Sequence, residues 1–350
     1  MPSYKITRGY LEHTAHIQEG RPFNVPAKST LLMAAQAAGI DWPYGCRVGV
    51  CGRCRCKLLH GSVSQLGDQG RTLGDAAVSD GYILACRSLL ESNILVLPPE
   101  HAHASAEDVG ATITSLDYPT PGIARLRLTL DTPYANAYRA GQYARISVPQ
   151  TVPPRCFSFA TACAGDGELE FHIRLFPEGK LAEWLRREAQ PGSRMQVSQP
   201  LGDISLDGLS PEHALLFIAG GTGLSPILSM LEEIAAWPEP AHAITLFYAA
   251  RDRAHLYAAA RVDTLKTHLT QQGARFRFVP VLSREPDESD WQGLRGHLFD
   301  HMDKVLPDAA TRHAFLCGPP GLVDAAELSL LRHGLARHEV TADRFIPAFD

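Results

Sequence analysis

Apolar and polar positions along the 350-residue chain change rhythm twice. Up to about residue 100 a short helical signal, Ser29 to Gly39, stands among strand-like pieces such as Lys57-Leu58-Leu59 and Asn93-Ile94-Leu95-Val96-Leu97. Ser29 or Thr30 is placed to cap that helix, and Gly39 to take the left-handed position after its last turn. From about 109 to 208 the pattern alternates with period two, in Ala124 to Leu130, Arg145 to Val148 and Leu169 to Arg174. Pro119, Gly122, Gly141, Pro149, Gly165 and Gly167 punctuate these runs, which predicts an antiparallel barrel interrupted by one helix, Leu181 to Ala189. From about 210 the order becomes buried strand Ala214 to Ala219, helix Pro226 to Ala236, strand Ile244 to Tyr248, helix His255 to Leu269, strand Phe276 to Leu282, strand Ala314 to Leu316 and helix Leu322 to His333. Strands alternating with helices predict a parallel α/β sheet. His101 to Glu107 has no period and reads as a linker, so the expected domains are 1–102, 109–208 and 210–350.

Composition narrows the function. Hydrophobic residues make up 45% and charged residues 20%, enough to bury several cores. The 33 Lys+Arg against 38 Asp+Glu give a net charge of -5, which argues against a nucleic-acid binder. No apolar run approaches the ~18–20 residues of a membrane span. Met1-Pro2-Ser3-Tyr4-Lys5 does not lead into a signal-peptide apolar segment, so a soluble, cytoplasmic protein is expected.

Five of the eight cysteines lie in the first 86 residues: Cys46, Cys51, Cys54, Cys56 and Cys86. Cys46, Cys51 and Cys54 form C-x4-C-x2-C, followed at a distance by Cys86, the ligand spacing of a plant-type [2Fe–2S] cluster. Thiolates are the soft, anionic ligands iron takes in such clusters. Gly45, Gly49 and Gly52 stand where a loop curling round a cluster needs unusual backbone angles. The rival is structural zinc, which usually comes as two C-x2-C pairs, whereas one is present here. Cys56 is then a surplus, buried thiol turned away from the cluster.

A second chemistry follows the strand Ala214 to Ala219. In Gly220-Gly221-Thr222-Gly223-Leu224-Ser225-Pro226, glycines let backbone approach a pyrophosphate, and Ser225 as N-cap with Pro226 in the first turn is expected to start a helix.

With these motifs in this order, the whole chain resembles the reductase components of bacterial multicomponent oxygenases. Those of naphthalene-type dioxygenases, soluble methane monooxygenase and phenol hydroxylase share the layout, and the last two domains look like the ferredoxin–NADP reductase superfamily. The resemblance implies a β-grasp [2Fe–2S] ferredoxin, a flavin-binding β-barrel and an NAD(P)H-binding α/β domain. The superfamily's R-x-Y-S signature reads Arg155-Cys156-Phe157-Ser158 here. Arg155 would neutralise flavin phosphate, Phe157 would stack on the isoalloxazine without the usual tyrosine hydroxyl, and Ser158 would hydrogen-bond near its N5. His172-Ile173-Arg174 through Gly179-Lys180-Leu181-Ala182 resembles the second flavin segment, with Ala182 where members often carry Ser or Thr. Pro200-Leu201-Gly202-Asp203 matches a turn closing the barrel. Cys317-Gly318-Pro319 resembles the superfamily's C-G-P segment, which would set Cys317 beside the nicotinamide. Phe345, in Asp343-Arg344-Phe345, would cover the flavin, with Phe349 as its rival. Gly221, Thr222, Gly223 and Arg251 complete the nucleotide site, and Cys317, Ser158 and Phe345 are the catalytic candidates.

The resemblance further implies FAD rather than FMN, and NADH as donor. Arg251 and Arg253 flank Asp252, whose charge would repel a 2′-phosphate. Electrons would pass from NADH through FAD to the cluster, and on to an oxygenase, hydroxylase or intermediate ferredoxin. Leu175 to Gly179 and Cys317 to Gly321 look more like reductases of diiron monooxygenases than of Rieske dioxygenases, both systems of aromatic or hydrocarbon oxidation. Arg47, Arg53 and Arg55 are candidate docking residues. A reductase for a deoxysugar dehydratase, or a non-catalytic redox sensor, is the alternative.

Overall fold

The computed structural model describes residues 13–97, 108–301 and 312–345, apart from 19, 28, 39, 41, 45–48, 50, 51, 68, 135, 136, 149–153, 203 and 240. The expected linker His101 to Glu107, and Gly39, Gly45, Cys46, Arg47, Cys51, Asp203 and Phe349, lie outside the described residues. The chain divides into two compact units, Met1–Ala106 and Glu107–Asp350.

In the first unit a five-stranded sheet runs in the order Phe23–Val25, His13–Ile17, Ile94–Leu97, Arg55–His60, Tyr82–Leu84. His13–Ile17 and Ile94–Leu97 pair in parallel, and the other pairs are antiparallel. The helix Leu31–Ala37 packs its buried Leu31, Leu32, Ala34 and Ala35 into the core beneath that sheet, with Trp42, Ile83 and Val96. A mixed sheet gripping one helix is the β-grasp. Thr30, rather than Ser29, caps the helix: its Oγ1 accepts the Met33 N–H at 3.3 Å and its carbonyl the Ala34 N–H at 3.1 Å.

The second unit holds two six-stranded sheets. The first is antiparallel in the order Arg155–Ser158, Tyr143–Ser147, Arg194–Val197, Val109–Thr120, Ile123–Leu130, Glu168–Arg174. A bridge between Phe159 and Phe171 joins its first and last strands, closing the barrel. Its core stacks Tyr138 on Phe159, with ring centroids 3.9 Å apart. The second sheet is wholly parallel, in the order Leu294–Arg295, Arg275–Leu282, Ala243–Ala250, Ala214–Gly220, Arg312–Gly318, Val340–Arg344. The chain builds outward from Ala214–Gly220 on one side, then returns to its other side, so the strand order reverses between Ala214–Gly220 and Arg312–Gly318. Sheets of this kind bind ligands in the crevice at that reversal, outside the carboxyl ends of the strands.

Several local expectations differ. The strand Val109–Thr120 was hidden because it bulges between Ile113 and Ser115 and between Asp117 and Thr120, which breaks period two; Pro119 lies within it. Val340–Arg344 is half-buried along its whole length and shows no alternation. Ser225 is not the N-cap, because the 3-10 turn Gly221–Gly223 runs straight into a helix beginning at Leu224. The helix expected from His255 is split: Asp252 caps the short turn Arg253–His255, Ala258 takes φ 57, and the helix proper is Ala259–Gln271.

Barrel and nucleotide-binding sheet meet closely at Gly141. Its φ is +101, and a Cβ there would lie 2.6 Å from Met230 Cε of the helix Leu224–Ala235 and 2.9 Å from the Ile204 carbonyl. Gly141→Ala combines left-handed strain of ~1–2 kcal/mol with overpacking of ~1–3 kcal/mol. It should therefore lower the unfolding free energy of this unit by ~2–5 kcal/mol in denaturant titration; an unchanged midpoint would show that the two layers are not in register here.

Candidate functional site

Two of the four candidate cluster ligands are described, and the fold brings them together. Cys54 ends the loop before the strand Arg55–His60, and Cys86 sits in the 3-10 turn Ala85–Arg87 after the neighbouring strand. The Cys86 N–H points at Cys54 Sγ over 3.5 Å, and the Ala85 N–H donates to the Cys54 carbonyl at 3.1 Å. Both side chains are buried. Gly49 and Gly52 take φ +86 and +69, and the Gly49 carbonyl is tied to Thr72 Oγ1 at 2.6 Å. A Cβ on Gly49 would lie 2.6 Å from Arg87 Cγ, so the loop tolerates no side chain there. An N–H aimed at sulfur and glycines in left-handed geometry suit an iron–sulfur loop. Cys56 is also buried, facing Ile83 across the sheet; burial, then the neighbouring Cys54, pushes its thiol well up.

The flavin-signature strand Arg155–Ser158 is the outermost of its sheet, paired with Tyr143–Ser147. Phe157 is half-buried against the barrel core and Ser158 is buried. In Glu168–Arg174, Leu169, Phe171 and Ile173 point into the barrel core, whereas Glu170, His172 and Arg174 form the outer row. Ile173 therefore offers its backbone, and Arg174 lies exposed with its guanidinium 5.1 Å from the centre of the Phe176 ring. The helix Lys180–Arg187 starts at Gly179 with no side-chain cap, leaving its first N–H groups for an anion. Leu181 and Ala182 turn their side chains into the barrel core, so they too present backbone.

At the crevice of the parallel sheet, backbone meets backbone. A Cβ on Gly223 would lie 2.0 Å from the Cys317 carbonyl oxygen, and one on Gly318, at φ +144, would lie 2.8 Å from the Gly220 carbonyl oxygen. Gly221 differs: at φ +56 it has no other atom within 4 Å of its Cβ position, so its backbone faces open space at the head of the helix Leu224–Ala235. Thr222 and Ser225 are buried beside it, at a turn suited to a phosphate. Cys317 ends its strand buried, its thiol pushed well up by burial and then by Asp343 on the next strand, so it is neutral at physiological pH. Pro319 precedes the helix Pro320–Arg332. The Phe345 N–H donates to the Gly318 carbonyl at 2.8 Å, and Arg344 anchors the same end through Asp324, at 2.9 Å, and Glu327. Beyond the second strand, Arg251 Nη2 meets His255 Nε2 at 2.5 Å, and His255 Nδ1 meets Asp252 Oδ1 at 2.6 Å. Arg253 is matched by Asp290 at 2.6 Å and Glu285 at 3.7 Å.

Comparison with known proteins gives one account of the three parts. Family models match as 2Fe-2S iron-sulfur cluster binding domain over residues 15–91, oxidoreductase FAD-binding domain over 112–206 and oxidoreductase NAD-binding domain over 217–327. The chain is 32% identical to the xylene/toluene monooxygenase electron transfer component of Pseudomonas putida, covering 93% of this chain and 91% of that protein. It is 31% identical to the naphthalene 1,2-dioxygenase system reductase component of Pseudomonas putida, over 93% and 95%. An Amycolatopsis cytochrome P450 reductase crystal structure superposes with TM-score 0.68 at 28% identity, covering 96% of this chain and 99% of that one. The chain belongs to the iron–sulfur flavoprotein reductases of oxygenase systems. No helix among the described residues of this reductase is long and apolar enough to cross a membrane.

The reductase also carries a polar cluster that sequence reasoning missed. Glu170 and His172, in the outer row of Glu168–Arg174, face the nucleotide-binding layer, where Tyr257 stands just before the helix that carries Arg261. His172 Nε2–H donates to Glu170 Oε1 at 2.9 Å, and its Nδ1 accepts from the Tyr257 hydroxyl at 3.2 Å. Arg261 reaches Glu170 at 2.6 Å, and Arg127 reaches its other oxygen at 2.7 Å. Burial alone would raise the Glu170 carboxyl; His172, Arg261 and Arg127 outweigh it and hold it far below the usual range. Burial lowers His172, against the pull of Glu170, so its ring is neutral. His172 thus spends both ring nitrogens on protein partners.

The sign of the pH dependence follows. A histidine of lowered folded pKa binds fewer protons than its unfolded counterpart, so stability is lost as pH falls below ~6.5. Burial, then His213, lowers His313 likewise, and Glu170 adds a loss only at far more acid pH. His172→Gln should flatten the stability-versus-pH curve below about pH 6.5 by up to ~1.4 kcal/mol per pH unit, leaving the His313 share. Identical slopes for variant and parent in denaturant titrations would refute the neutral, buried His172.

Proposed function

We propose that this reductase takes a hydride from NADH at the crevice between Gly221 and Gly318 and delivers single electrons, through its [2Fe–2S] unit, to the oxygenase or hydroxylase component of its system. The observation that carries this reading is that one unit holds both the flavin-signature strand, with an uncapped helix start at Gly179 in the same barrel, and a nucleotide crevice ending in the buried Cys317. FAD supplies the conversion of a two-electron hydride into single electrons, and the cluster carries them outward one at a time.

The residues divide the work. Backbone N–H groups of Gly179 to Ala182, with Lys180 and Arg155, hold flavin phosphate at a helix start. Phe157 packs against the flavin ring system, and the Ser158 hydroxyl supplies its hydrogen bond near the reacting nitrogen. Cys317 lines the nicotinamide side as an uncharged surface, its thiol kept protonated by burial and then by Asp343. Phe345, tethered to Gly318, closes the far side. Arg251 flanks the adenosine ribose; Arg253 is neutralised by Asp290 and Glu285 and adds nothing for a 2′-phosphate, which supports NADH.

The docking face is basic. Arg53 and Arg55 are exposed beside Cys54, and Lys57 and Arg55 share the face of Tyr82, at 5.4 and 5.0 Å. An acceptor with an acidic patch fits it, and the chain details shared with diiron systems point to a hydroxylase of that class. Cys86→Ser separates the steps. The variant should keep NADH-driven ferricyanide reduction, which needs flavin alone, and lose cytochrome c reduction and the iron–sulfur absorbance. Equal loss of both activities with flavin still bound, or loss of neither, would contradict the proposed route.

A further inference from the structure

The helix Leu224–Ala235 begins at the nucleotide turn, and three of its side chains grip the barrel. Ser229 Oγ donates to the Thr161 carbonyl at 2.6 Å, Glu232 Oε2 accepts the Ala162 N–H at 2.9 Å, and Glu233 Oε2 accepts the Ala140 N–H at 3.1 Å. Residues 160–162 are the chain leaving the flavin-signature strand, two to four residues after Ser158. One rigid helix therefore spans from the phosphate turn to the flavin edge. At ~1.5 Å per residue, Ser229 stands only about 8 Å beyond Leu224.

Arg261, on the adjacent helix Ala259–Gln271, ties the grip together. Its Nη1 reaches Glu170 at 2.6 Å, its Nη2 reaches the Ala160 carbonyl at 2.9 Å, and its Nε reaches Glu232 at 3.1 Å. One guanidinium thus joins a barrel strand, and the chain leaving the flavin-signature strand, to the helix that starts the nucleotide site. Glu170 in turn orients His172, and His172 holds Tyr257, the residue before the left-handed Ala258 that sets Arg261's own helix. No atom of this cluster is in the Arg155–Ser158 signature or the nucleotide turn, yet Arg261 and Tyr257 join the barrel to the layer that carries that turn.

We propose that Arg261 is a positioning residue for hydride transfer: its three-way fork to Glu170, Glu232 and the Ala160 carbonyl fixes the distance between the flavin edge and the nicotinamide crevice. This rests on the hydride-transfer reading above. Hydride transfer needs reacting atoms ~3–3.5 Å apart, and a shift of ~1 Å can cost ~100-fold in rate. A charge alone does not meet the geometry, because only a planar fork reaches three acceptors in fixed directions.

The test uses the full-length flavoprotein with Arg261→Lys, which keeps the charge the buried Glu170 requires, and Arg261→Gln. Flavin reduction by NADH is followed in stopped flow, with nucleotide affinity from the dependence on NADH concentration. Amide exchange of the peptide containing Ala160 and Ala162 is read in parallel on the same flavoprotein. Arg261→Lys should retain flavin and bind NADH within about twofold of the parent, while the limiting reduction rate falls ~10–100-fold and the peptide exchanges faster. Arg261→Gln should show the same rate loss with weaker folding. A rate in Arg261→Lys equal to the parent's, or a loss that merely tracks lost flavin, overturns the proposal. Should the parent itself not be reduced by NADH, the hydride-transfer reading fails, and unchanged amide exchange in Arg261→Lys would separately refute the fork.

Discussion

A carboxylate and a guanidinium in contact between barrel and nucleotide-binding sheet are the constraint on which the larger unit depends. Glu170 is almost wholly buried, and Arg261 and Arg127 reach its two oxygens. Removing one partner of such a pair leaves a buried, uncompensated charge, typically a loss of ~3–5 kcal/mol. An apolar interface would hold the layers together as firmly, but it would not fix them in one direction. The hydrogen-bonded fork, with His172 and Tyr257 behind it, selects one relative placement. The turn at Gly221 and the strand at Ser158 inherit that placement.

This explains how the chain distributes its chemistry. A hydride moves only by contact, so the flavin edge and nicotinamide crevice belong to one compact unit, Glu107–Asp350. Single electrons need no such contact, and the iron–sulfur site sits in a unit of its own, Met1–Ala106. The flavin and nucleotide sites are made by backbone more than by side chains, and the iron–sulfur loop is shaped by it. Gly49, Gly221 and Gly318 hold conformations or approaches that a Cβ would prevent or strain, and the helix at Lys180 begins without a cap. The side chains then tune what the backbone shapes. Burial and Asp343 keep Cys317 neutral, and Asp290 with Glu285 matches the charge of Arg253.

Much of this was legible from residue patterns. Alternation located Ile123–Leu130 and Glu168–Arg174, cysteine spacing marked Cys54 and Cys86 as neighbours, and the glycine turn after Ala219 marked the crevice. What escaped has physical reasons. Bulges at Ile113 and Asp117 broke the alternation of the strand that begins the barrel. Asp252 and Ala258 split a helix that its amphipathic pattern had joined. The Glu170–Arg261 fork links residues 91 apart in sequence, and no local period encodes it. One trace of it was present: Glu170 and His172 occupy the outer row of a strand whose inner row is wholly apolar.

The central claim is that NADH electrons enter at the crevice and reach the iron–sulfur unit through bound flavin in this one chain. It is tested most directly by an anaerobic titration of the purified protein with NADH, followed across the visible spectrum. The account predicts flavin and iron–sulfur bands in the oxidised protein and bleaching of both as NADH is added, with NADPH far less effective. Iron–sulfur bands that stay unchanged while the flavin is fully reduced, or a protein whose flavin NADH leaves oxidised, would contradict it.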